Sequence, residues 1–98
     1  MQMFKKRVFS LEPEQFTYVN FAYSESGTSC GLEPSVLLYR NSVGDYFSTA
    51  TLLATDINFQ NLAPAGFYSE YDSDYGSIIS REWNGTAFVG LPEICDEA

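Results

Sequence analysis

The most informative segment of the chain is residues 77–91, SIISREWNGTAFVGL. It is rich in the β-branched and aromatic side chains that suit a pleated, half-buried surface. At its centre lies Asn84-Gly85, a dipeptide preferred in two-residue type I′ turns because both of its residues tolerate a positive φ. We therefore predict two antiparallel strands, 77–83 and 86–91, with Trp83 in a structural role where it covers the sheet beside Phe88.

Several short segments of the same kind precede this hairpin. Residues 16–23, FTYVNFAY, alternate so that Thr17, Val19, Phe21 and Tyr23 share one face of a strand. Further strands are predicted at 36–40, 46–48 and 66–69, the first two forming a hairpin. Residues 49–54 fit a strand or a helical turn, and their threonines favour the strand. The breaker-rich segments 24–34 and 70–76 are predicted loops, and 55–64 a turn or short 3₁₀ segment.

These segments predict an all-β domain, a small antiparallel β-sandwich or barrel with an extended N-terminal arm. Hydrophobic residues make up 45% of the 98 residues and aromatic residues 16%, a composition that excludes a disordered chain. No strand–helix–strand alternation is present, which argues against a parallel α/β fold. Because Pro13 disfavours a central strand, we assign residues 1–15 to the arm and 16–98 to a single β domain.

Charge is distributed unevenly along the chain. Lys5, Lys6 and Arg7 are three of the five basic residues, whereas the segment from Val8 onward holds all 13 acidic residues and two arginines, a net charge of −11. An acidic body of this kind argues against nucleic acid and anionic membranes as partners. We predict that the basic segment, with Phe4 as an apolar anchor, docks on an acidic protein neighbour. The alternative is that it only adds solubility to a loose terminus.

Membrane and export signals are missing from the sequence. No apolar run approaches the roughly 18–20 residues of a membrane span. The basic start is not followed by the apolar segment of a signal peptide. We therefore expect a protein without a signal peptide that is not inserted in a membrane.

The inventory of reactive side chains predicts a protein that is not an enzyme. The chain has no histidine, so Ser-His-Asp and Cys-His sites cannot form within it. It has no glycine-rich phosphate loop, and we expect no cofactor. Glu70, Asp72 and Asp74 have a spacing that suits Ca²⁺, but the remaining ligands of a calcium loop are missing. A solvated turn is the favoured interpretation, and no metal site is predicted.

Three tyrosines form a candidate binding surface in the sequence. Tyr68, Tyr71 and Tyr75 lie in and beside the acidic loop, a pattern typical of carbohydrate-binding surfaces and protein interfaces. The alternative for these tyrosines is packing across the sheet with the hydroxyls at its edge.

Cys30 and Cys95 either form a disulfide or remain two small buried thiols, and their spacing does not decide between these states.

Residues 30–95 resemble a short cysteine-bounded β module of phage virion and tail-fibre proteins and of Bacteroidetes surface proteins. The resemblance is carried by these residues: Cys30, Leu38-Tyr39, Tyr46-Phe47, Leu52-Leu53, Thr55-Asp56, Pro64-Ala65-Gly66-Phe67-Tyr68-Ser69 and Cys95. It departs from the module where Trp83-Asn84-Gly85 replaces a Gly-Gly hairpin. The resemblance implies that Cys30 and Cys95 lie together and close the module, and that the chain belongs to a particle or surface assembly.

The leading functional hypothesis is therefore a structural protein of the virion, assembled in the host cytoplasm. It would be a capsid decoration, head-fibre or tail-associated subunit that binds capsid or tail proteins in many copies. One alternative is a carbohydrate- or receptor-binding module that uses Tyr68, Tyr71 and Tyr75. Another is an acidic inhibitor that mimics nucleic acid, although the acidic residues show no regular spacing.

Overall fold

A computed structural model describes residues 17–95, which form one antiparallel β-sheet. Within this range the sheet has six strands, and no helix is long and apolar enough to cross a membrane. The strands are β1 (Thr17–Ser24), β2 (Pro34–Arg40), β3 (Leu53–Ala54), β4 (Gly66–Asp72), β5 (Ser77–Trp83) and β6 (Phe88–Ile94). The predicted arm, residues 1–15, lies outside the described residues.

The strand order across the sheet is β3-β2-β1-β4-β5-β6, and every neighbouring pair is antiparallel. The sheet curls into a half-barrel, which confirms the all-β antiparallel prediction. Strand β1 lies in the middle of the sheet, since it pairs with β2 on one side and with β4 on the other.

The inner face of the curled sheet carries the hydrophobic core. Successive strand residues point to opposite faces, so Phe21, Leu38, Tyr68, Ile79 and Trp83 all project inward. The segment between β2 and β4 lies over these side chains and adds its own to the core, namely Phe47, Ala50, Leu53 and Ala63. Trp83 is 1% exposed, and its Nε1–H donates a hydrogen bond to the carbonyl oxygen of Ala63 at 2.9 Å. The predicted structural position of Trp83 is thus confirmed.

The predicted strand at 46–48 is wrong, because Phe47–Thr49 forms a 3₁₀ turn. The N–H of Thr49 donates to the carbonyl oxygen of Tyr46, and the ring of Phe47 lies 5.0 Å from that of Phe21. Burial of the Phe47 ring in the half-barrel therefore decides the local backbone. On the side of β2 away from β1, the antiparallel partner is instead β3, which pairs Leu53 with Arg40.

The predicted two-residue turn at Asn84-Gly85 is also wrong. Trp83 pairs with Phe88, so four residues connect the strands, and the N–H of Asn84 donates to the carbonyl oxygen of Ala87. The Oδ1 atom of Asn84 accepts hydrogen bonds from the N–H groups of Thr86 and Ala87 at 2.8 and 2.9 Å. Of the two residues of the dipeptide, only Gly85 adopts a positive φ, +105°. The side chain of Asn84 therefore stabilises a wider loop than the dipeptide predicts.

The loop predicted at 70–76 is shorter than expected. Strand β4 continues through Asp72 because it pairs with β5 as far as Ser77. Glu70 and Asp72 thus belong to the sheet, on its inner face, and they are not part of a solvated turn. Among the described residues, no group of three acidic or cysteine side chains could hold a metal ion.

Candidate functional site

The outer face of the sheet carries an exposed apolar surface that spans four strands. Leu37 pairs with Asn20, Tyr39 with Tyr18, and Tyr71 with Ile78, which places these side chains on the face opposite the core. We define the outer-face patch as Tyr18, Leu32, Leu37, Tyr71 and Ile78. Each of these side chains is between 47% and 54% exposed. Large apolar surfaces left open on a folded domain mark interaction sites.

Two tyrosines give one end of the patch a rigid platform. The rings of Tyr18 and Tyr39 lie across neighbouring strands with their centroids 4.5 Å apart. Tilted aromatic pairs at this distance stabilise each other beyond simple area burial. Tyrosine also has few rotatable bonds, so this pair, in which Tyr18 is exposed and Tyr39 is half-buried, loses little conformational entropy when a partner covers it.

At the other end of the patch lies a groove of about 300 Å³. Leu32, Tyr71 and Ile78 line its sides, and the buried residues Ala22 and Ser69 contribute to its floor. We call this feature the outer-face groove. Its lining is mainly apolar, and its volume suits one large side chain of a partner.

The loop 25–33 forms one wall of the groove and is held by a disulfide. Cys30 and Cys95 are bonded, with their Cα atoms 5.2 Å apart. The bond confirms the pairing that the resemblance implies, and it joins this loop to the end of β6. The N–H of Cys95 also donates to the carbonyl oxygen of Ile78 at 2.7 Å. Leu32 is thus positioned over the sheet by a covalent link two residues away.

Beneath the disulfide, three serine hydroxyls form a buried cluster. The Oγ atom of Ser29 hydrogen-bonds to the Oγ atom of Ser69 and lies 3.2 Å from that of Ser80. All three residues are buried, although Ser69 and Ser80 belong to the outer face, because the loop 25–33 covers them. Each hydroxyl finds a partner inside the cluster, as buried polar groups require.

On the inner face, Arg40 and Glu70 form a buried ion pair. Arg40 is fully buried and Glu70 is 9% exposed. Nε of Arg40 donates to Oε1 of Glu70 at 2.8 Å, Nη2 donates to Oε2, and Nη1 donates to the carbonyl oxygen of Ser42 at 2.9 Å. Burial raises the pKa of the Glu70 carboxyl, and the adjacent guanidinium partly offsets that rise. The pair joins β2, β4 and the loop between β2 and the 3₁₀ turn.

Asp72 fixes the 3₁₀ turn and the turn after β4. Its carboxylate accepts hydrogen bonds from the N–H of Ser48 at 2.6 Å and from the N–H of Tyr75 at 3.0 Å. Burial acts to raise the pKa of Asp72, but the N–H donors outweigh it and hold the pKa below its ordinary value. Asp72 is thus a structural acceptor that holds both turns.

The second arginine is also engaged inside the molecule. Nη1 of Arg81 donates to the carbonyl oxygens of Phe47 and Ala50 at 2.7 and 2.8 Å, and the guanidinium lies 3.8 Å from the ring centroid of Phe88. Burial lowers the pKa of Arg81. Because Arg40 and Arg81 are the only basic residues between 17 and 95, the exposed charged side chains of this range are all acidic. They are Glu25, Glu33, Asp45, Asp74, Glu82 and Glu93.

The three tyrosines predicted from the sequence do not form one surface. Tyr68 is 1% exposed, and its hydroxyl donates to the carbonyl oxygen of Pro64 at 2.6 Å. The assignment of Tyr68 to a binding surface is therefore wrong, since alternation along β4 directs it into the core. Tyr71 lies in the outer-face patch, and Tyr75 is exposed in the turn before β5. The predicted partner-binding residues Phe4, Lys5, Lys6 and Arg7 lie outside the described residues.

Sequence reasoning missed Leu32, Leu37 and Ile78 as surface residues. Leu37 and Ile78 lie within apolar runs, whose sequence does not show which face another layer covers. The alternation in residues 16–23 did place Tyr18 and Phe21 on opposite faces of the strand. This alternation was the signal in the sequence that Tyr18 lies on the outer face. Leu32 has no local signal, because its position depends on the disulfide.

Comparison of the chain with protein-family models, with curated proteins and with solved structures found no match.

Proposed function

We propose that this chain is a non-enzymatic structural subunit that binds a larger protein through the outer-face patch, as a decoration or tail-associated subunit of a phage particle does. The observation that carries the proposal is the patch itself, in which five large apolar side chains remain about half exposed on one side of a well-packed sheet. Interface cores are enriched in aromatic residues and depleted of charge, and the patch has both properties.

The construction of the patch also supports a binding role. The Tyr18–Tyr39 pair, the sheet and the disulfide-held loop fix its side chains before any partner arrives. A preformed surface loses less conformational entropy on binding than a flexible one. This smaller entropy loss favours the binding of many copies of a small, rigid subunit to one particle.

The burial of Tyr68 in the core weakens the carbohydrate-binding alternative, because that alternative requires Tyr68, Tyr71 and Tyr75 to act together. Sugar-binding sites combine an exposed ring with polar groups that contact hydroxyls. The outer-face patch offers mainly apolar side chains, which suit a protein surface better.

The proposal is tested by sedimentation of particles from the native source through a density gradient. We expect the unmodified chain to migrate with the particle fraction and Leu37→Asp to move to the free-protein fraction, because a charge placed in an apolar interface loses its hydration. Val43→Asp is the matched control, since Val43 is 45% exposed in the loop after β2, outside the patch. Its distribution should equal that of the unmodified chain. An unmodified chain found only as free protein would exclude the particle role.

A further inference from the structure

The outer-face groove and its surroundings define the chemistry of a specific occupant. The groove is mainly apolar and holds about 300 Å³, which suits one large apolar side chain. Glu33 is adjacent to Leu32 in the wall, and Glu93 pairs with Ser80 on the outer face of the neighbouring strands. Both glutamates are exposed. An occupant with an apolar anchor and positive charge beside it therefore matches this site.

No cation of the described residues is available to balance these glutamates. Both arginines are engaged on the inner face, Arg40 with Glu70 and Arg81 with two backbone carbonyls. Complementary charge across an interface raises the association rate and excludes partners of the wrong sign. The electrostatics thus favour a cationic segment over a neutral or acidic one.

The chain itself contains one segment of this chemistry, Phe4-Lys5-Lys6-Arg7. We propose that this basic segment of one copy binds in the outer-face groove of a second copy. Phe4 enters between Leu32 and Ile78, and the three cations lie beside the exposed glutamates. This contact requires no other protein, and it uses the groove end of the patch, leaving Tyr18 and Leu37 outside the groove lining for the larger protein proposed above.

The geometry of β1 favours a second copy over the same copy. The chain enters β1 at Thr17 and runs towards Ser24, and the groove lies beside the middle of this strand, at Asn20 and Ala22. To reach its own groove the segment would have to reverse direction over the outer face. Phe4 precedes Thr17 by thirteen positions. Fully extended, they span up to about 45 Å, which is sufficient to reach a neighbour.

A contact of this kind is head-to-tail, because each copy offers a basic segment to one neighbour and a groove to another. Such contacts generate rings when the rotation closes and filaments when it does not. The inference therefore predicts self-association of the purified full-length chain, weakened by salt because the attraction between exposed charges is screened.

The test is sedimentation equilibrium of full-length variants at low salt. The segment variant Phe4→Ser/Lys5→Glu/Lys6→Glu and the groove variant Leu32→Ser/Ile78→Ser should each be monomeric where the unmodified chain associates. Mixing the two variants should restore dimers, because the intact segment of one fits the intact groove of the other. Ile57→Ser, which removes an exposed apolar side chain elsewhere, is the control and should associate normally.

Circular dichroism of each variant shows whether it is folded. A monomeric unmodified chain would overturn the inference. So would a segment variant that associates like the unmodified chain. If both variants are folded monomers that fail to associate when mixed, the contact between different copies is excluded. The result for particle binding does not alter any of these outcomes.

Discussion

At the scale of single residues, Trp83 illustrates how one side chain joins the sheet to the layer over it. Its ring lies 4.9 Å from that of Phe88, its cross-strand neighbour, and its Nε1–H reaches the backbone of Ala63 in the covering segment. The apolar ring and its polar atom are therefore both satisfied by contacts inside the domain. A residue with this environment acts in folding and is not available to a ligand.

We predict that Trp83→Ala lowers the free energy of unfolding by about 3–5 kcal/mol, the usual result of truncating a buried aromatic side chain. Domains of this size have a total stability of about 5–15 kcal/mol, so the loss should be visible as a large drop in the urea midpoint. Tyr46→Ala, at an exposed aromatic position, serves as the control and should change stability little. A Trp83→Ala variant as stable as this control would contradict the structural role.

Asp72 leads to a prediction about pH. Asp72→Asn should cost about 1.5–3 kcal/mol at neutral pH, because hydrogen bonds to a charged acceptor contribute about that much. The folded-state pKa of Asp72 is lowered, so its stabilisation is complete above the unfolded value near 3.9 and is lost as the pH falls through the folded value. The difference between the variant and the unmodified chain should therefore shrink below about pH 4.

Urea unfolding of both proteins across a series of pH values from 7 to about 2.5 measures this difference. Working with the difference removes contributions from other carboxyls, such as Asp56, whose pKa backbone donors also lower. A cost that stays constant over the whole series would show that the Asp72 carboxylate does not stabilise the turn through its charge.

At the scale of structural elements, the Arg40–Glu70 pair connects β2 with β4, which are separated in the sheet by β1. The two side chains meet on the inner face because the sheet is curled. Removing one member of a buried pair leaves the other charge without compensation, a change that costs about 3–5 kcal/mol. We expect Glu70→Leu to destabilise the domain by this amount in thermal or urea unfolding.

The control for this prediction is Glu82→Leu, which removes a carboxylate from an exposed position on the adjacent strand. Surface substitutions of this kind usually change stability by about 0.5 kcal/mol or less. If Glu70→Leu and Glu82→Leu have equal stability, the buried pair does not join the elements in the way described.

The elements also show what the sequence could predict. Residues 16–23 and 77–83 alternate strongly enough for their strands to be placed correctly. Tyr46-Phe47-Ser48 has the composition of a strand, but a tertiary contact between Phe47 and Phe21 decides its conformation. The loop after Trp83 depends on side-chain hydrogen bonds of Asn84 that a turn dipeptide does not specify. Local patterns therefore located the strands, and non-local packing determined what lies between them.

The candidate site was harder to predict for a related reason. An exposed apolar side chain on a strand has the same sequence signature as a buried one, so Leu37 and Ile78 were not distinguishable from core residues. Tyr71, which was selected from its place beside the acidic residues, is exposed, whereas Tyr68, which was selected from the same pattern, is buried in the core. The face on which each residue lies follows from strand register, which is set by the whole sheet.

At the scale of the whole molecule, the two faces of the sheet carry different kinds of side chains. The inner face contains the core and both arginines of the described residues, whereas the outer face presents the apolar patch among acidic side chains. The disulfide and the serine cluster stabilise the outer face without covering the patch. This division supports the proposal that the outer face binds another protein.

Hydroxyl-radical footprinting of the chain, free and bound in the particle fraction, tests that proposal most directly. We predict that Tyr18 and Leu37, the patch residues outside the groove lining, react in the free protein and are protected in the bound protein. Val43 and Ile57, which are exposed elsewhere, should react equally in both states. Protection of Val43 and Ile57 with unchanged reaction of the outer-face patch would contradict the account, because the binding surface would then lie elsewhere on the molecule.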